Sequence, residues 1–174
     1  MLLQPYNTEW ATHFNAIKTA LDNALQPLPI IIEHVGSTAV TNLAAKPIID
    51  IDIVFNEATA SFSNVKSKLA RIGYYHNGNQ GIADREVFKR KLLVRHPILD
   101  TISHHLYVCS SNSKELQKHL IFRDHLRNNE ADRIAYQALK LTIAEAAKQD
   151  RKLYAALKET QATAFINGII NQYL

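Results

Sequence analysis

Two acidic residues, Asp50 and Asp52, are separated by one isoleucine in the segment 48–55, which reads Ile-Ile-Asp-Ile-Asp-Ile-Val-Phe. This segment predicts a β-strand, and residues two apart on a strand point to the same side, about 7 Å apart. Two neighbouring carboxylates repel each other unless water or a cation neutralises them. Mg²⁺ prefers oxygen ligands and is often held by one or two carboxylates together with substrate phosphates. We therefore expect Asp50 and Asp52 to be catalytic residues and metal ligands. The alternative is a solvated strand face on which each aspartate binds a lysine or a backbone amide.

A Gly-Ser turn precedes this strand. Residues 30–35 are short and β-branched, which predicts a buried strand, and Gly36 and Ser37 end it. Backbone N–H groups and a hydroxyl at such a turn suit a phosphate, although Gly-Ser is also a common turn without function. In combination, the turn would hold phosphates while the next strand holds the metal.

Two further residues are candidates for substrate binding. Lys46 precedes Pro47 at the start of the aspartate strand, where a lysine would meet a phosphate as a point charge or simply face water. The segment 104–110 predicts a strand with His105 and Tyr107 on one side. His105 is then either a ligand contact or a hydrogen-bonded histidine within the sheet.

The order of predicted elements indicates an α/β fold in which a sheet precedes a helical C-terminal extension. A first helix follows the possible caps Asn7 and Thr8 and ends before Pro27. The remaining elements are predicted as a helix at 59–71, strands at 74–76 and 86–94, a break at Pro97, and helices at 114–128, 131–148 and 150–171. The helical part as a whole spans about residues 113–174.

Length and composition limit the class of protein. The chain of 174 residues suits one domain, 1–174, since a usual domain has roughly 100–200 residues. The net charge of +4 suits an anionic ligand such as a nucleotide and gives no specific indication of nucleic acid. Cys109 is the only cysteine, and neither a signal peptide nor a membrane span is evident, so we expect a cytoplasmic location.

Several sequence blocks resemble the GrpB family, also called UPF0157. The resemblance is strongest in the block around Gly36 and in the block leading to Asp50, and it covers nearly the whole chain. The matching residues are Glu33-His34-Val35-Gly36-Ser37-Thr38-Ala39-Val40, Leu43-Ala44-Ala45-Lys46-Pro47-Ile48-Ile49-Asp50-Ile51, Tyr6, Trp10, His104-His105-Leu106, His119-Leu120, Phe122-Arg123-Asp124, Tyr136 and Leu139-Lys140. The resemblance implies a nucleotidyltransferase-like mixed β-sheet with flanking helices. It implies no settled substrate.

The sequence departs from the pattern of this family at two places. Thr41-Asn42 stands where the family usually has Pro-Gly, and Tyr107 stands where it often has a second histidine. Active nucleotidyltransferases also commonly have a third carboxylate on a later strand, and the strand 104–110 has no acidic residue. By chain order, Glu86 and Asp100 are the candidates for that carboxylate.

Two functions follow from the resemblance and the motifs together. The first is a Mg²⁺-dependent nucleotidyltransferase that transfers a nucleotidyl group from a nucleoside triphosphate to an unknown acceptor. The second is a non-catalytic module that binds a nucleotide or a coenzyme-like anion in the same pocket. The absence of an acid on the strand 104–110 favours the second function.

Overall fold

The computed structural model describes residues 2–91 and 93–174. One mixed five-stranded sheet has the order β1-β2-β5-β4-β3, in which β2 and β5 are parallel and all other neighbours are antiparallel. The strands are β1 (Ile30–Val35), β2 (Ile49–Phe55), β3 (Tyr74–His76), β4 (Glu86–Arg90) and β5 (His104–Ser110), and the helices are α1 (Glu9–Leu25), α2 (Phe62–Arg71), α3 (Pro97–Thr101), α4 (Lys114–Asn128), α5 (Glu130–Ala146), α6 (Arg151–Gln161) and α7 (Thr163–Ile170). The mixed α/β fold with a helical C-terminal extension is therefore confirmed.

Strand register gives the sheet one polar and one apolar face. On the polar face, Asp50 lies between Val35 of β1 and His105 of β5, and Asp52 lies between Glu33 and Tyr107. The alternate residues, including the isoleucines of β2, belong to the apolar face. Asp50 and Asp52 thus share one strand beside β1, as the alternation with isoleucine predicts.

Helix α1 covers the apolar face. Its buried residues recur at helical spacing and contact the isoleucines of β2 in one hydrophobic cluster: Trp10, Ile17, Leu21 and Leu25 pack with Ile49, Ile51 and Ile53. Burying these side chains removes apolar surface from water, which stabilises the fold by about 25 cal/mol per Å². Because α1 occupies this face, the opposite face is left for α4 and the polar residues.

The C-terminal helices form a second hydrophobic cluster beside the sheet. Buried residues of α4, α5, α6 and α7 join the loop residues Val40 and Leu43 there. The prediction of one helix over 150–171 is wrong, because the chain breaks at Ala162 into α6 and α7. Ala162 is fully buried, and the break allows both short helices to contact the same cluster.

Two boundaries on the far side of the sheet also differ from prediction. Strand β4 ends at Arg90 rather than at residue 94, and residue 92 lies outside the described part of the chain. The short helix α3 begins at Pro97, where the sequence predicts only a break. The ring of His96 accepts hydrogen bonds from the backbone N–H groups of Ile98 and Leu99, and proline suits the first helical position. Among the described residues, no helix is both long enough and apolar enough to cross a bilayer.

Candidate functional site

Gly36 lies directly against Asp50. Its backbone has φ +72° and ψ −172°, a conformation that L side chains rarely adopt. A Cβ at this position would lie 2.3 Å from Oδ2 of Asp50, which is far inside van der Waals contact. The turn after β1 therefore needs glycine both for its conformation and for the close approach of the carboxylate.

The other oxygen of Asp50 binds a histidine on the neighbouring parallel strand. Nδ1 of His105 lies 2.8 Å from Oδ1 of Asp50, in a pair that the β2–β5 register brings side by side. The His105 side chain is 54% exposed, so its ring is accessible to a ligand. The structure thus places His105 at the Gly36–Asp50 contact.

Asp52 is fully buried and is also paired with a histidine. Its Oδ2 lies 2.7 Å from Nδ1 of His119 on α4, and its Oδ1 has no hydrogen-bond partner among the described residues. Burial lowers the pKa of His119, but the hydrogen bond and negative charge of Asp52, aided by Glu115, outweigh it and raise the pKa above its usual value. The contact with His119 thus partly offsets, at Asp52, the repulsion that the sequence predicts between the two aspartates.

Ser37 contacts a buried lysine on the side of the turn that faces the helical extension. Nζ of Lys140, a residue only 1% exposed, lies 3.1 Å from Oγ of Ser37 and also binds the carbonyl oxygen of Ala44. Burial, followed by the charge of Lys158, holds the pKa of Lys140 well below its usual value. Lys140 and Lys158 thus form a basic region in which Lys140 donates a hydrogen bond to the Ser37 hydroxyl.

Lys46 belongs to the same basic region. Its ammonium group stacks over the ring of Tyr154 at 4.3 Å from the ring centroid. Burial is the main cause of its lowered pKa, with contributions from the positive charges of Lys158 and Arg151, while Asp50 opposes the shift. Lys46 is thus a partly buried residue under the electrostatic influence of Asp50 rather than a free surface lysine.

Helix α4 is anchored to β1 by an ion-pair network. Arg123 donates from Nη1 to Oε2 of Glu33 at 2.7 Å and to the backbone carbonyl oxygen of His34 at 3.0 Å. Its Nε also donates to Oδ1 of Asp124 at 2.7 Å. The Arg123-Asp124 pair therefore has a structural role. It holds α4, the helix that carries His119, against β1.

No carboxylate occupies the β5 positions opposite the aspartates, since His105 and Tyr107 stand there. Glu86 is opposite Val108 on the apolar face and binds His76, at 2.5 Å. Asp100 lies on α3 and binds Arg90. Neither of these acids therefore completes the Asp50–Asp52 pair.

Asp50 and Asp52 are the residues that could hold a Mg²⁺ ion. Among the described residues, Oδ1 of Asp52 is buried without a hydrogen-bond partner, and a hard cation is a suitable partner for such an oxygen. Within residues 2–91 and 93–174, no group of three or more His, Cys, Asp or Glu side chains is arranged to hold a metal. Two carboxylates would therefore need additional oxygen ligands from a substrate, which is a common arrangement for Mg²⁺.

Sequence reasoning placed Gly36, Asp50, Asp52 and His105 correctly in one region, but it gave no role there to His119 or Lys140. Lys140 had a detectable signal, because it interrupts the apolar face that Tyr136 and Ile143 define on α5. A lysine at a buried helical position requires a polar partner. No such signal distinguishes His119, whose partner lies 67 residues away in the chain.

A family model described as GrpB protein matches residues 1–171. The chain belongs to the GrpB family. Among its GrpB relatives, UPF0157 protein YqkA of Bacillus subtilis is 34% identical over 80% of this chain, and the match spans only 38% of YqkA. The glutamate-rich protein GrpB of Alkalihalophilus pseudofirmus is 29% identical over 99% of this chain and 95% of its own length.

Solved structures confirm the nucleotidyltransferase-like fold of this GrpB member. The crystal structure of conserved protein GrpB from Enterococcus faecalis matches with a TM-score of 0.77 and 30% identity over 98% of both chains. The Cid1 poly(U) polymerase with Mg 3'-dATP bound matches with a TM-score of 0.55 and 13% identity, over 89% of this chain and 49% of Cid1. At that identity, the likeness to Cid1 concerns the fold alone.

Proposed function

We propose that this GrpB member is a nucleotidyltransferase that transfers a nucleotidyl group from a nucleoside triphosphate to an acceptor. One observation carries the proposal: the Gly36 turn is packed onto Asp50, beside a buried Asp52 oxygen that lacks a partner. This places a phosphate-binding type of turn next to two carboxylates, on a nucleotidyltransferase-like fold. The nucleotide is one substrate, and the identity of the acceptor is open.

The proposed roles follow from the contacts of each residue. The backbone at Gly36, the Ser37 hydroxyl and the Lys46 ammonium bind the phosphates. Lys140 positions Ser37 through its 3.1 Å contact with Oγ. His105 lies exposed beside Asp50 and contacts the substrate. The pairing of its strand with the buried strand β2 fixes its position.

Asp50 and Asp52 would hold Mg²⁺, and the histidines hold the two carboxylates in place. When bound, the metal supplies electrostatic stabilisation of the charge that develops on the transferred phosphoryl group. His119 fixes Oδ2 of Asp52 and leaves Oδ1 free. We take residues 1–174 as one functional domain, since α4 and α5 supply His119 and Lys140 to a site on the sheet.

The test is transfer from labelled nucleoside triphosphates in the presence of Mg²⁺ or Mn²⁺, with a cell extract as the source of acceptor. We expect the wild type to label an acceptor and the Asp50→Asn/Asp52→Asn variant to lose the activity by several orders of magnitude. Asp22→Asn is the matched control, because Asp22 lies on α1 and its side chain pairs, among the described residues, with Lys18 at the surface. Transfer that persists in the double variant would contradict the metal role.

A specific observation favours a second function, a non-catalytic module that binds a nucleotide or coenzyme-like anion. His105 and Tyr107 occupy the β5 positions opposite the aspartates, so no third acid is available there. Calorimetric titration with ATP or GTP, with and without Mg²⁺, separates the two functions when combined with the transfer assay. Tight binding by a wild type that transfers nothing would select the module, and absence of metal-dependent binding would count against both.

The proposed setting is the cytoplasm, where nucleoside triphosphates are supplied. The single cysteine, Cys109, is buried as a free thiol, which agrees with a reducing compartment. The described residues of the site give no specific indication of nucleic acid as the acceptor. An oligonucleotide is one class of acceptor to test in the transfer assay beside the cell extract.

A further inference from the structure

A second cleft lies behind the Gly36 turn, on the side of α1. Its volume is about 540 Å³, which is within the usual range for small-molecule sites, about 300–1,000 Å³. The register places His34 opposite Ile51, on the apolar face of the sheet and away from Asp50 and Asp52. The cleft is lined by Tyr6, Ala11, His34, Thr38, Ala39, Thr41, Asn42, Arg127 and Arg133.

Two arginines in the cleft are held in position by backbone carbonyl groups. Nε of Arg127 donates to the carbonyl oxygen of Ala39 at 2.9 Å, and Nη1 of Arg133 donates to that of Leu126 at 3.1 Å. The first bond joins the end of α4 to Ala39 in the cleft wall, and the second joins the start of α5 to the end of α4. The two guanidinium groups are therefore fixed before any ligand arrives, which reduces the entropy lost on binding.

The carboxylates near these arginines neutralise them only weakly. Arg127 is 3.5 Å from Asp124, a carboxylate that binds Arg123 at 2.7 Å. Arg133 is 3.4 Å from Glu130, whose side chain is 78% exposed. Solvent-exposed pairs of this kind contribute little, so the cleft retains an excess of positive charge. Burial and the nearby charge of Arg123 lower the pKa of Arg127, although Asp124, Glu33 and Tyr6 oppose the shift.

The inner wall of the cleft is uncharged. The ring of His34 stacks on Phe14 with centroids 4.6 Å apart, and its Nε2 lies 3.0 Å from Oγ1 of Thr38. Burial is the main cause that lowers the pKa of His34 to about 4, so this ring is uncharged at neutral pH. The wall thus adds hydroxyl and aromatic surface to the two arginines.

We propose that this cleft binds a small organic anion through a phosphate or carboxylate group, at a site distinct from the Asp50–Asp52 site. Arginine recognises both groups by paired hydrogen bonds, which is the shared chemistry of the two ligand classes. The inference does not depend on nucleotidyl transfer. It concerns a separate set of side chains beside β1, the edge strand of the sheet.

The chain offers a local reporter for this cleft. Trp10 is the only tryptophan, is buried, and contacts the ring of Tyr6 edge-on with centroids 5.6 Å apart. Tyr6 itself lines the cleft. Because Tyr6 connects Trp10 to the cleft, tryptophan fluorescence is a local readout for ligands bound there.

The experiment titrates the full chain with inorganic phosphate and, separately, with malonate at constant ionic strength. Trp10 fluorescence and the melting temperature are the readouts. We expect a saturable response of both to at least one anion. A response to phosphate alone or to malonate alone supports the proposal and identifies the recognised group.

Variants test whether the cleft itself carries this response. Arg133→Gln removes one guanidinium, and Ala11→Phe fills the cleft from an exposed position on α1 without removing a polar group. Both should weaken the anion response by about tenfold or more, whereas Lys66→Gln, at an exposed lysine of α2, should leave it unchanged. A response retained in Arg133→Gln and Ala11→Phe, a response lost in Lys66→Gln, or no response in the wild type would each overturn the proposal.

Discussion

Replacing Gly36 with alanine tests the contact between the turn and Asp50. The added Cβ would lie 2.3 Å from Oδ2 of Asp50 and 3.0 Å from its Cβ. The clash adds to the cost of the backbone conformation, φ +72° and ψ −172°, which only glycine adopts readily. The substitution therefore perturbs the backbone of the turn and the carboxylate of Asp50, while both proposed metal ligands keep their residue types.

The magnitude has two parts. A residue other than glycine in this backbone region costs about 1–3 kcal/mol. Forcing an extra methyl group into a packed site costs about 1–3 kcal/mol more. We therefore expect Gly36→Ala to lower the free energy of unfolding by about 2–6 kcal/mol, a large part of the about 5–15 kcal/mol of an ordinary domain.

Chemical denaturation measures this loss, and the chain supplies a matched control. Gly78 also has a positive φ, +70°, but a Cβ there would meet nothing within 4 Å. Gly78→Ala should then cost only the conformational part, about 1–2 kcal/mol. The second comparison is Gly36→Ala combined with Asp50→Ala, which removes the oxygen 2.3 Å away. The double variant should be more stable than the sum of the single losses predicts, by about 0.5–3 kcal/mol.

Two results would refute this reasoning. Equal losses for Gly36→Ala and Gly78→Ala would show that the clash with Asp50 has no energetic effect. Additive losses in the double variant would show that Gly36 and Asp50 do not act on each other. In either case, the close approach could no longer support a joint role for the turn and the aspartates.

Three further predictions concern buried titratable groups. The pKa of His34 is lowered from 6.5 to about 4, so on acidification the unfolded chain binds a proton before the folded chain does. Wild type should therefore lose up to about 3 kcal/mol more stability than His34→Gln between pH 7 and pH 4. Equal losses in the two proteins, measured by denaturation at both pH values, would contradict this. The pKa of Lys140 is lowered well below 10.5, so the folded chain loses this proton before the unfolded chain does, and the stability of wild type relative to Lys140→Met should rise with pH up to about 10.5. Denaturation series at several pH values measure this difference, and a pH-independent difference would be evidence against the lowered pKa. Asp52→Asn removes the charge that raises the pKa of His119, so NMR titration should find this pKa lower in the variant, and an unchanged value would exclude the ion pair.

The elements that position the site could be predicted because their patterns are local. Strands β1, β2 and β5 are short runs with many β-branched or alternating residues, and their bounds match the prediction within one residue. The alternation along β2 already places Asp50 and Asp52 on one side. The register with β5 then brings His105 beside Asp50, which chain order alone does not specify.

Other features depend on tertiary contacts and could not be predicted from local patterns. The pairing of His119 with Asp52 requires α4 to pack across the polar face of the sheet. The break at Ala162 has no proline or glycine to mark it, and it is the packing of α6 and α7 on one cluster that requires it. The prediction that the two carboxylates repel each other omitted the histidines, because neither histidine is near them in sequence.

The long sequence separations within the site determine when it forms during folding. Asp50 and His105 are 55 residues apart, Asp52 and His119 are 67 apart, and Lys140 is 103 from Ser37. Contacts between distant residues require closure of long loops and form slowly compared with helices and local turns. On the ribosome, a chain that has emerged only as far as β5 contains both aspartates but neither His119 nor Lys140. The contacts of Asp52 with His119 and of Ser37 with Lys140 therefore form only after synthesis has passed α5.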